Sequence, residues 1–338
     1  MSENTKIEWC DHTFNPWEGC QKVGPGCDHC YAETRNTRFS GGQAINWGPG
    51  APRRRTSAAN WQLPIKWNKR AKLQHSAWES FKAQHPGLTE EQLTAKGFVK
   101  PRRPRVFCAS LADVFDNAVD PQWRADLFSL IVKTPYLDWL LLTKRIGNVG
   151  SMLEELAHAH DEGLSLLDMM PLPNVWIGAT IVNQAEADRD IPKLLQVPAK
   201  VRFLSMEPLL GPVDIRHRLG PCVFTEKDQW ATGRGIDWVI VGGESGPGAR
   251  PMHPDWARSL RDQCADAGVA FLFKQWGEWM AGNTNGATVS LTFPVGAPTG
   301  PDNPKWYEWP DGSHSARVGK QAAGRLLDGR TWDETPAT

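Results

Sequence analysis

The sequence has no long apolar run. No stretch of its 338 residues approaches eighteen uninterrupted apolar residues, and the first residues, MSENTKIEW, contain no apolar targeting core. We therefore expect neither a membrane span nor a signal peptide, and we predict a cytoplasmic protein. The hydrophobic content of 40% is still enough to bury a sizeable core. The length fits one barrel-sized domain with insertions.

Cysteine is scarce, with seven residues in the whole chain. Thiols stay reduced in the cytoplasm, so cysteines that cluster there favour metal binding or catalysis over disulfides. Three of the seven, Cys20, Cys27 and Cys30, lie in the segment NPWEGCQKVGPGCDHCYAE at residues 15–33, which we call the cysteine loop. The other four are spread along the chain. Cys108, Cys222 and Cys264 are predicted to be packing residues, whereas Cys10 is ambiguous.

The C-x6-C-x2-C spacing of the cysteine loop fits two kinds of metal site. A structural zinc site needs four ligands, and the loop offers three thiolates, with Cys10, His12 or His29 as possible fourth donors. A four-iron cluster held by three cysteines is the second possibility. It leaves one iron open, where a small molecule can bind and react.

The sequence also lacks net charge, but its positive charge is concentrated in one segment. Residues 52–105 carry 13 Lys and Arg against 3 Asp and Glu, a net charge of +10. Most of this charge lies in a predicted basic insertion at about residues 36–104. The insertion also contains Trp47, Trp61, Trp67 and Trp78, which are interspersed among the basic residues. It is either a solvated, loop-rich insertion with tryptophans packed on the protein body, or a surface that binds phosphates and stacks bases.

Beyond residue 104, short apolar runs alternate with segments of helix length. The runs are RVFCAS (105–110), DWLLLT (138–143), NVWIGAT (174–180), VRFLSME (201–207), DWVIVGGE (237–244) and VAFLFKQ (269–275), and IEWCDHTF (7–14) adds one more. Such alternation is typical of a parallel sheet. The sequence therefore predicts an α/β fold with a full or partial parallel (β/α) barrel of about six to seven units over residues 1–275. Residues 276–338 are predicted to be an irregular appendage, either packed over one barrel end or acting as a lid.

Polar residues follow each predicted strand. The carboxyl ends of parallel barrel strands converge on one mouth, where active sites are built. A carboxylate or amine in a dry pocket can act as a base, an acid or an anchor, which makes four residues candidates for substrate contact: Glu207, Glu244, Lys144 and Lys274. An ion pair across the mouth is the alternative role for Glu207.

The cysteine loop resembles the cluster loop of the radical S-adenosylmethionine superfamily, in the branch that contains spore photoproduct lyase. The whole chain is similar to a largely phage-borne family of unassigned function within or beside that superfamily. This similarity covers FCASLADVF, LLTKR, VWIGATIVN, RFLSMEPLLGPV, WVIVGGESGPGARP, FKQWGEW and VGKQAAGRLLDGRTW. The usual C-x3-C-x2-C spacing is lengthened here by three residues, which include Gly24 and Gly26, and His29 replaces an aromatic residue.

The resemblance implies a cofactor set and a mechanism. Cys20, Cys27 and Cys30 would each bind one iron of a 4Fe-4S cluster, and S-adenosyl-L-methionine would bind the fourth. One electron from a reductant such as a flavodoxin or ferredoxin would then release a 5′-deoxyadenosyl radical. The resemblance places the methionine part near Ser110 and Asp113, and the ribose and sulfonium near Thr180, Asn183 and Ser205.

Three functions follow as hypotheses. The first is a radical enzyme acting on a nucleic acid or nucleotide, and most concretely an isomerase in phage thymidine hypermodification, located in the host cytoplasm. The second is a lyase that repairs thymine lesions. The third is a non-catalytic, zinc-stabilised nucleic-acid-binding protein.

Overall fold

The computed structural model describes residues 2–157, 170–220, 235–281 and 305–337. In chain order its strands are β1 (Ser2–Glu3), β2 (His12–Thr13), β3 (Trp17–Glu18), β4 (Arg54–Arg55), β5 (Arg105–Cys108), β6 (Asp138–Thr143), β7 (Val175–Thr180), β8 (Val201–Met206), β9 (Trp238–Gly242), β10 (Ala270–Gln275), β11 (Trp279–Ala281), β12 (Lys305–Glu308) and β13 (His314–Arg317). Its α-helices are α1 (Tyr31–Phe39), α2 (Ala58–Trp61), α3 (Leu63–Gln84), α4 (Glu90–Ala95), α5 (Pro121–Val132), α6 (Val149–Ala157), α7 (Gln184–Gln196), α8 (Pro254–Asp266) and α9 (Lys320–Ala323).

The main sheet has the strand order β1-β2-β5-β6-β7-β8-β9-β10. The pairs from β2 to β10 are all parallel, and only β1 is antiparallel to its neighbour. These seven parallel strands curl into a half-barrel flanked by helices, which confirms the predicted α/β fold as a partial parallel barrel. The chain after β10 protects the edge of that strand, because Phe273 N–H donates to the carbonyl of Trp332 and Leu272 bridges to Asp333.

Each strand of the half-barrel divides its side chains between two cores, because successive residues point to opposite faces of a sheet. On one face, strand residues such as Trp139 and Ile177 share a large cluster with helix residues such as Phe128. On the other face, Trp176 and Phe203 belong to a second cluster, which contains residues of the strands and of the segment before β2. The second cluster is therefore the inner face of the half-barrel.

The helices of the half-barrel begin at capping residues that are visible in the sequence. Asp120 accepts a hydrogen bond from the backbone of Gln122 at the start of α5, and Pro121 fills the first turn. His253 caps α8 in the same way and is also followed by a proline. In the part of the chain that the structure describes, no helix is both long and apolar enough to cross a membrane.

The basic insertion is mainly helical rather than loop-rich, with α2, α3 and α4 between β4 and β5. Trp67 and Trp78 are buried, and Trp67 stacks on His12 with ring centroids 4.3 Å apart. Trp61 carries the Arg55 guanidinium 4.4 Å from its ring centroid. These tryptophans pack on the protein body, as the first of the two interpretations predicts.

Much of the positive charge of the insertion is neutralised within the chain. The ion pairs are Arg53–Asp116, Arg54–Glu18, Arg55–Asp126, Arg70–Glu3, Lys82–Glu90, Arg102–Asp11 and Arg103–Asp138. The Arg53 pair is the most buried of these, with both side chains 1% exposed and Nε 2.7 Å from Asp116 Oδ2. The net charge counted from the sequence is therefore larger than the unpaired positive charge that the surface of the insertion carries.

The appendage is more regular than predicted. Strands β11, β13 and β12 form an antiparallel sheet, and the Pro-Asp-Gly-Ser turn at residues 310–313 joins β12 to β13. Helix α9 follows β13. Residues 282–304 of the appendage, and Cys222, lie outside the described residues.

Candidate functional site

A cavity of about 530 Å³ lies at the carboxyl ends of the parallel strands. We call it the central cavity. Eleven of the twelve predicted site residues line it: Cys20, Cys27, Cys30, Ser110, Asp113, Lys144, Thr180, Ser205, Glu207, Glu244 and Lys274. Its volume is in the range of small-molecule and cofactor sites, which is about 300–1,000 Å³.

The two-residue period of the strands explains why these side chains meet. Trp176 and Thr180 lie on the same face of β7, and Phe203 and Ser205 lie on the same face of β8. Trp176 and Phe203 belong to the inner core. Thr180 and Ser205 therefore face inward at positions nearer the carboxyl ends of their strands than these core residues.

Asn183 is the one predicted site residue that does not line the central cavity. It is the N-cap of α7, where its side-chain oxygen accepts a hydrogen bond from Glu186 N–H at 2.9 Å. A cap of this kind leaves the asparagine oxygen engaged in holding the helix.

The cysteine loop enters the cavity through close backbone contacts. Gly19 has φ +111°, and a Cβ there would lie 2.4 Å from the carbonyl oxygen of Asn46. A Cβ on Gly24 would lie 2.9 Å from Glu186 Oε1, and one on Gly26 would lie 2.8 Å from Val182 Cγ1. Gly24 and Gly26 therefore allow the longer loop to pack against the chain after β7. Cys30 then occupies the N-cap position of α1.

Arg145 connects Cys20 to two buried carboxylates. Its Nη1 lies 3.5 Å from Cys20 Sγ and 3.2 Å from Asp113 Oδ2, and its Nη2 lies 3.8 Å from Asp116 Oδ1. Burial raises the pKa of Cys20 to about 11, and the charge of Arg145 opposes that shift only in part. Cys20 is therefore a thiol at neutral pH in the metal-free protein, and Arg145 lies where it would stabilise a thiolate if a metal displaced the proton.

Asp113 is a hub for the ends of β5 and β6. Its Oδ1 accepts hydrogen bonds from Thr143 Oγ1 at 2.7 Å and from Phe115 N–H at 2.9 Å. Its Oδ2 accepts from Lys144 N–H at 3.0 Å in addition to Arg145. Asp113 lines the cavity, but these contacts show that it also holds the loops around it.

Glu207 forms an ion pair across the mouth with Lys274, which is the alternative to substrate contact that the sequence left open for it. Lys274 Nζ lies 2.7 Å and 2.9 Å from the two carboxylate oxygens, and Gln275 Nε2 donates to Oε1 at 3.0 Å. Burial lowers the pKa of Lys274, but the charge and hydrogen bond of Glu207 outweigh it and place the pKa above 10.5. Lys274 is therefore protonated at neutral pH, and the pair presents a salt bridge to the cavity.

A double-mutant cycle is expected to detect this pair. Glu207→Gln and Lys274→Met each leave a largely buried polar partner without its counter-charge, so each should lower the free energy of unfolding by about 1–3 kcal/mol. The double variant should lose less than the sum, with a coupling energy of about 0.5–3 kcal/mol. Urea unfolding measures all four corners of the cycle. Strictly additive losses would show that the two side chains are not paired in solution.

Glu244, the second predicted carboxylate, contacts the cysteine loop. Its Oε2 lies 3.1 Å from His29 Nδ1, and both of its oxygens accept hydrogen bonds from Arg250. Burial raises its pKa, but the hydrogen bonds from Arg250 outweigh burial and hold the pKa below 4.5. Glu244 is therefore a carboxylate at neutral pH that is already engaged by partners of its own.

Three lysines of the cavity have no carboxylate partner among the described residues: Lys6, Lys144 and Lys320. Lys144 Nζ donates to Thr180 Oγ1 at 3.2 Å. The acidic residues Asp113, Glu207 and Glu244 are each neutralised by an arginine or a lysine. Glu8 is the remaining acidic residue of the lining. The cavity therefore has an excess of positive charge and favours an anionic ligand.

The three thiols of the cysteine loop are not gathered around a single point. Zinc–sulfur bonds of about 2.3 Å put the sulfurs of a tetrahedral site about 3.8 Å apart. In the described part of the chain, no three metal-ligand atoms of Cys20, Cys27, Cys30 and their neighbours lie within 4.8 Å of one another. A four-iron cluster places iron between the thiolates and spaces them more widely. Three is the number of protein thiolates that would hold such a cluster with one iron left open, and all three thiols line one cavity.

Neither of the main candidates for a fourth zinc ligand is free to bind. Cys10 is 6% exposed and packs with Trp9 in the inner core, and it does not line the cavity. Although His29 lines the cavity, its Nδ1 contacts Glu244 and its Nε2 lies against Gly248, where a Cβ would come within 2.4 Å. His12, the third candidate, is buried and stacks on Trp67.

The one described group with three donor atoms within 4.8 Å is His253, Asp255 and Asp311, away from the cysteine loop. His253 Nδ1 accepts a hydrogen bond from Asp255 N–H, so its Nε2 carries the proton and faces Asp311 and Ser313. His253 therefore caps α8 and links that helix to the turn between β12 and β13, which accounts for the closeness of the three side chains.

The comparisons with known proteins place the chain in a family. A family model described as a protein of unknown function, DUF5131, matches residues 4–336. The chain belongs to the DUF5131 family. The comparisons with curated proteins and with solved structures gave no match. The match of this DUF5131 chain covers the half-barrel, the basic insertion and the appendage together.

Sequence reasoning missed several residues of the site. Arg145 follows β6 directly and was visible as part of a strand end, but its contact with Cys20 depends on the fold. Arg250 and Lys320 come from the chain after β9 and from the appendage, and neither follows a predicted strand directly. The signal for Lys320 was its place in the tail VGKQAAGRLLDGRTW, which carried part of the family resemblance.

Proposed function

We propose that the protein is a radical S-adenosylmethionine enzyme. The observation that carries the proposal is the convergence of Cys20, Cys27 and Cys30 on one cavity at the carboxyl ends of a parallel half-barrel. A four-iron cluster held there would supply one-electron cleavage of S-adenosyl-L-methionine to a 5′-deoxyadenosyl radical. The proposal also includes a one-electron reductant, such as a flavodoxin or ferredoxin, and a cytoplasmic location.

The other residues of the cavity would bind and orient the reactants. The hydroxyl groups of Ser110, Thr180 and Ser205 can hydrogen-bond the polar parts of S-adenosyl-L-methionine. Asp113 would act mainly by holding the ends of β5 and β6, since its oxygens are engaged by Thr143 and Lys144. The inner core provides an apolar floor that includes Trp9 and Phe107, which exclude water from a reactive radical.

The charge of the cavity supports a nucleotide as the substrate. Lys6, Lys144 and Lys320 would attract phosphate, and the neutralised arginines of the basic insertion make a long polymer track less favourable. Within this class we propose rearrangement of a modified thymidine nucleotide, because a carbon-centred radical can start reactions at unactivated positions. Cleavage of a thymine lesion uses the same chemistry and would differ in product. The geometry of Cys10 and His29 weighs against the zinc-stabilised alternative.

The test is anaerobic turnover of S-adenosyl-L-methionine. Reconstituted protein with dithionite should form 5′-deoxyadenosine, which chromatography detects, and Cys27→Ala should form none because a cluster anchor is lost. Cys10→Ala is the matched control and should retain formation, since Cys10 lies outside the cavity. An iron-loaded protein that leaves S-adenosyl-L-methionine intact, with and without thymidine nucleotides, would contradict the proposal.

A further inference from the structure

The carboxylate of Glu244 is fully engaged by hydrogen bonds, most of them from Arg250. Arg250 donates to Glu244 from its backbone N–H at 2.8 Å, from Nε at 2.9 Å and from Nη2 at 2.7 Å. His29 Nδ1 adds a contact at 3.1 Å. The Glu244 side chain is 6% exposed. A carboxylate with so many partners is poorly suited to take a proton from a substrate.

The same arginine reaches across to the cysteine loop. Arg250 Nη2 donates to the carbonyl oxygen of Pro25 at 2.8 Å, and Nη1 donates to Asp28 Oδ2 at 3.1 Å. Pro25 begins the short 3-10 helix Pro25–Cys27, and Asp28 follows it. Together with the His29 contact, these bonds fix the chain around and between Cys27 and Cys30.

Gly248 packs directly against the imidazole ring of His29. A Cβ at this position would lie 2.4 Å from Nε2 and 2.5 Å from Cδ2 of the imidazole, so a larger residue would displace the ring. The shape of the 244–250 loop is thus matched to the histidine that replaces the usual aromatic residue of the cluster loop.

The appendage holds the 244–250 loop in place. Glu278 N–H donates to the carbonyl of Glu244, and Glu278 Oε1 accepts from Gly246 N–H at 3.0 Å. Arg317 Nη2 donates to the carbonyls of Gly246 and Pro247. The loop is therefore held both by the appendage and by the cysteine loop.

We propose that Glu244, Arg250 and His29 form a clamp that positions Cys27 and Cys30 for cluster binding. Glu244 and Arg250 are then positioning residues that act through the cysteine loop, and the appendage reaches the cluster through them. This inference rests on the proposed function and replaces the substrate-side role predicted for Glu244.

The test compares Glu244→Gln and Arg250→Lys with Asp138→Asn, an equally buried carboxylate at the start of β6 that pairs with Arg103 and does not line the central cavity. Loss of a group that orients metal ligands typically weakens metal binding by about 10- to 100-fold. Iron should therefore pass to a chelator at least about tenfold faster from both clamp variants, and the electron paramagnetic resonance spectrum of the reduced cluster should change. Asp138→Asn should keep the wild-type spectrum and rate.

A readout without iron separates this inference from the proposed function. In the iron-free protein, backbone amides of residues 24–30 should exchange hydrogen faster in Glu244→Gln than in Asp138→Asn. If Glu244→Gln shows this faster exchange but the wild-type protein binds no iron on reconstitution, the clamp on the loop is supported and the proposed cluster is overturned. Wild-type iron release and exchange in both clamp variants, with turnover of S-adenosyl-L-methionine lost, would overturn the clamp and return Glu244 to the reaction.

Discussion

Replacing any one of Cys20, Cys27 and Cys30 with alanine is expected to abolish binding of a four-iron cluster. All three side chains line the central cavity, and each would anchor one iron. Removing one thiolate leaves two protein anchors, which is too few to retain the cluster through purification. The measurement is the iron and sulfide content after anaerobic reconstitution, with the brown absorbance of the cluster as a second readout.

Cys108→Ala and Cys10→Ala are the matched controls. Cys108 is fully buried in the core on the helix side of the sheet, and Cys10 is buried in the inner core. Both variants should keep their iron. Equal loss of iron from Cys10→Ala and Cys27→Ala would identify Cys10 as a ligand and favour a four-cysteine site.

Arg53→Ala is expected to be the most destabilising change in the basic insertion. Arg53 and Asp116 are both 1% exposed, so the variant leaves a buried carboxylate without its partner. Breaking a buried pair in this way typically costs about 3–5 kcal/mol. Asp116 also lies near Arg145, the arginine that contacts Cys20, so weakened iron binding should accompany the loss.

Arg70→Ala is the control for this prediction. Its pair with Glu3 is exposed, with side chains 64% and 39% accessible, and exposed pairs contribute about 0–1 kcal/mol. Urea unfolding of the iron-free variants gives both values. Similar losses in the two variants would mean that Arg53 is not buried against Asp116 and is available to bind phosphate.

The sheet could be predicted because its strands are defined by local patterns. The predicted strand DWLLLT has the same bounds as β6 in the structure. A short apolar run between segments of helix length is typical of a buried strand in a parallel sheet. The same local logic placed Thr180 and Ser205 at the cavity. It also assigned Asn183 to the cavity, whereas the structure has Asn183 at the start of α7. An asparagine three residues before Glu186 is itself a helix-start signal.

The electrostatic partners could not be predicted in this way, because they depend on contacts distant in sequence. Arg53 pairs with a residue 63 positions away, and Arg250 contacts Asp28 across 222 positions. Composition therefore showed an excess of positive charge but could not show that carboxylates elsewhere neutralise it. For Glu244, the position at a strand end was visible, whereas its contact with the cysteine loop required the fold.

Metal analysis of the wild-type protein tests the central claim most directly. The protein should be purified and reconstituted without oxygen, and its iron, sulfide and zinc measured before reduction and electron paramagnetic resonance spectroscopy. The account predicts about four irons and four sulfides per chain, with a spectrum that changes when S-adenosyl-L-methionine is added. A colourless protein with one tightly held zinc ion, and no iron after reconstitution, would contradict it.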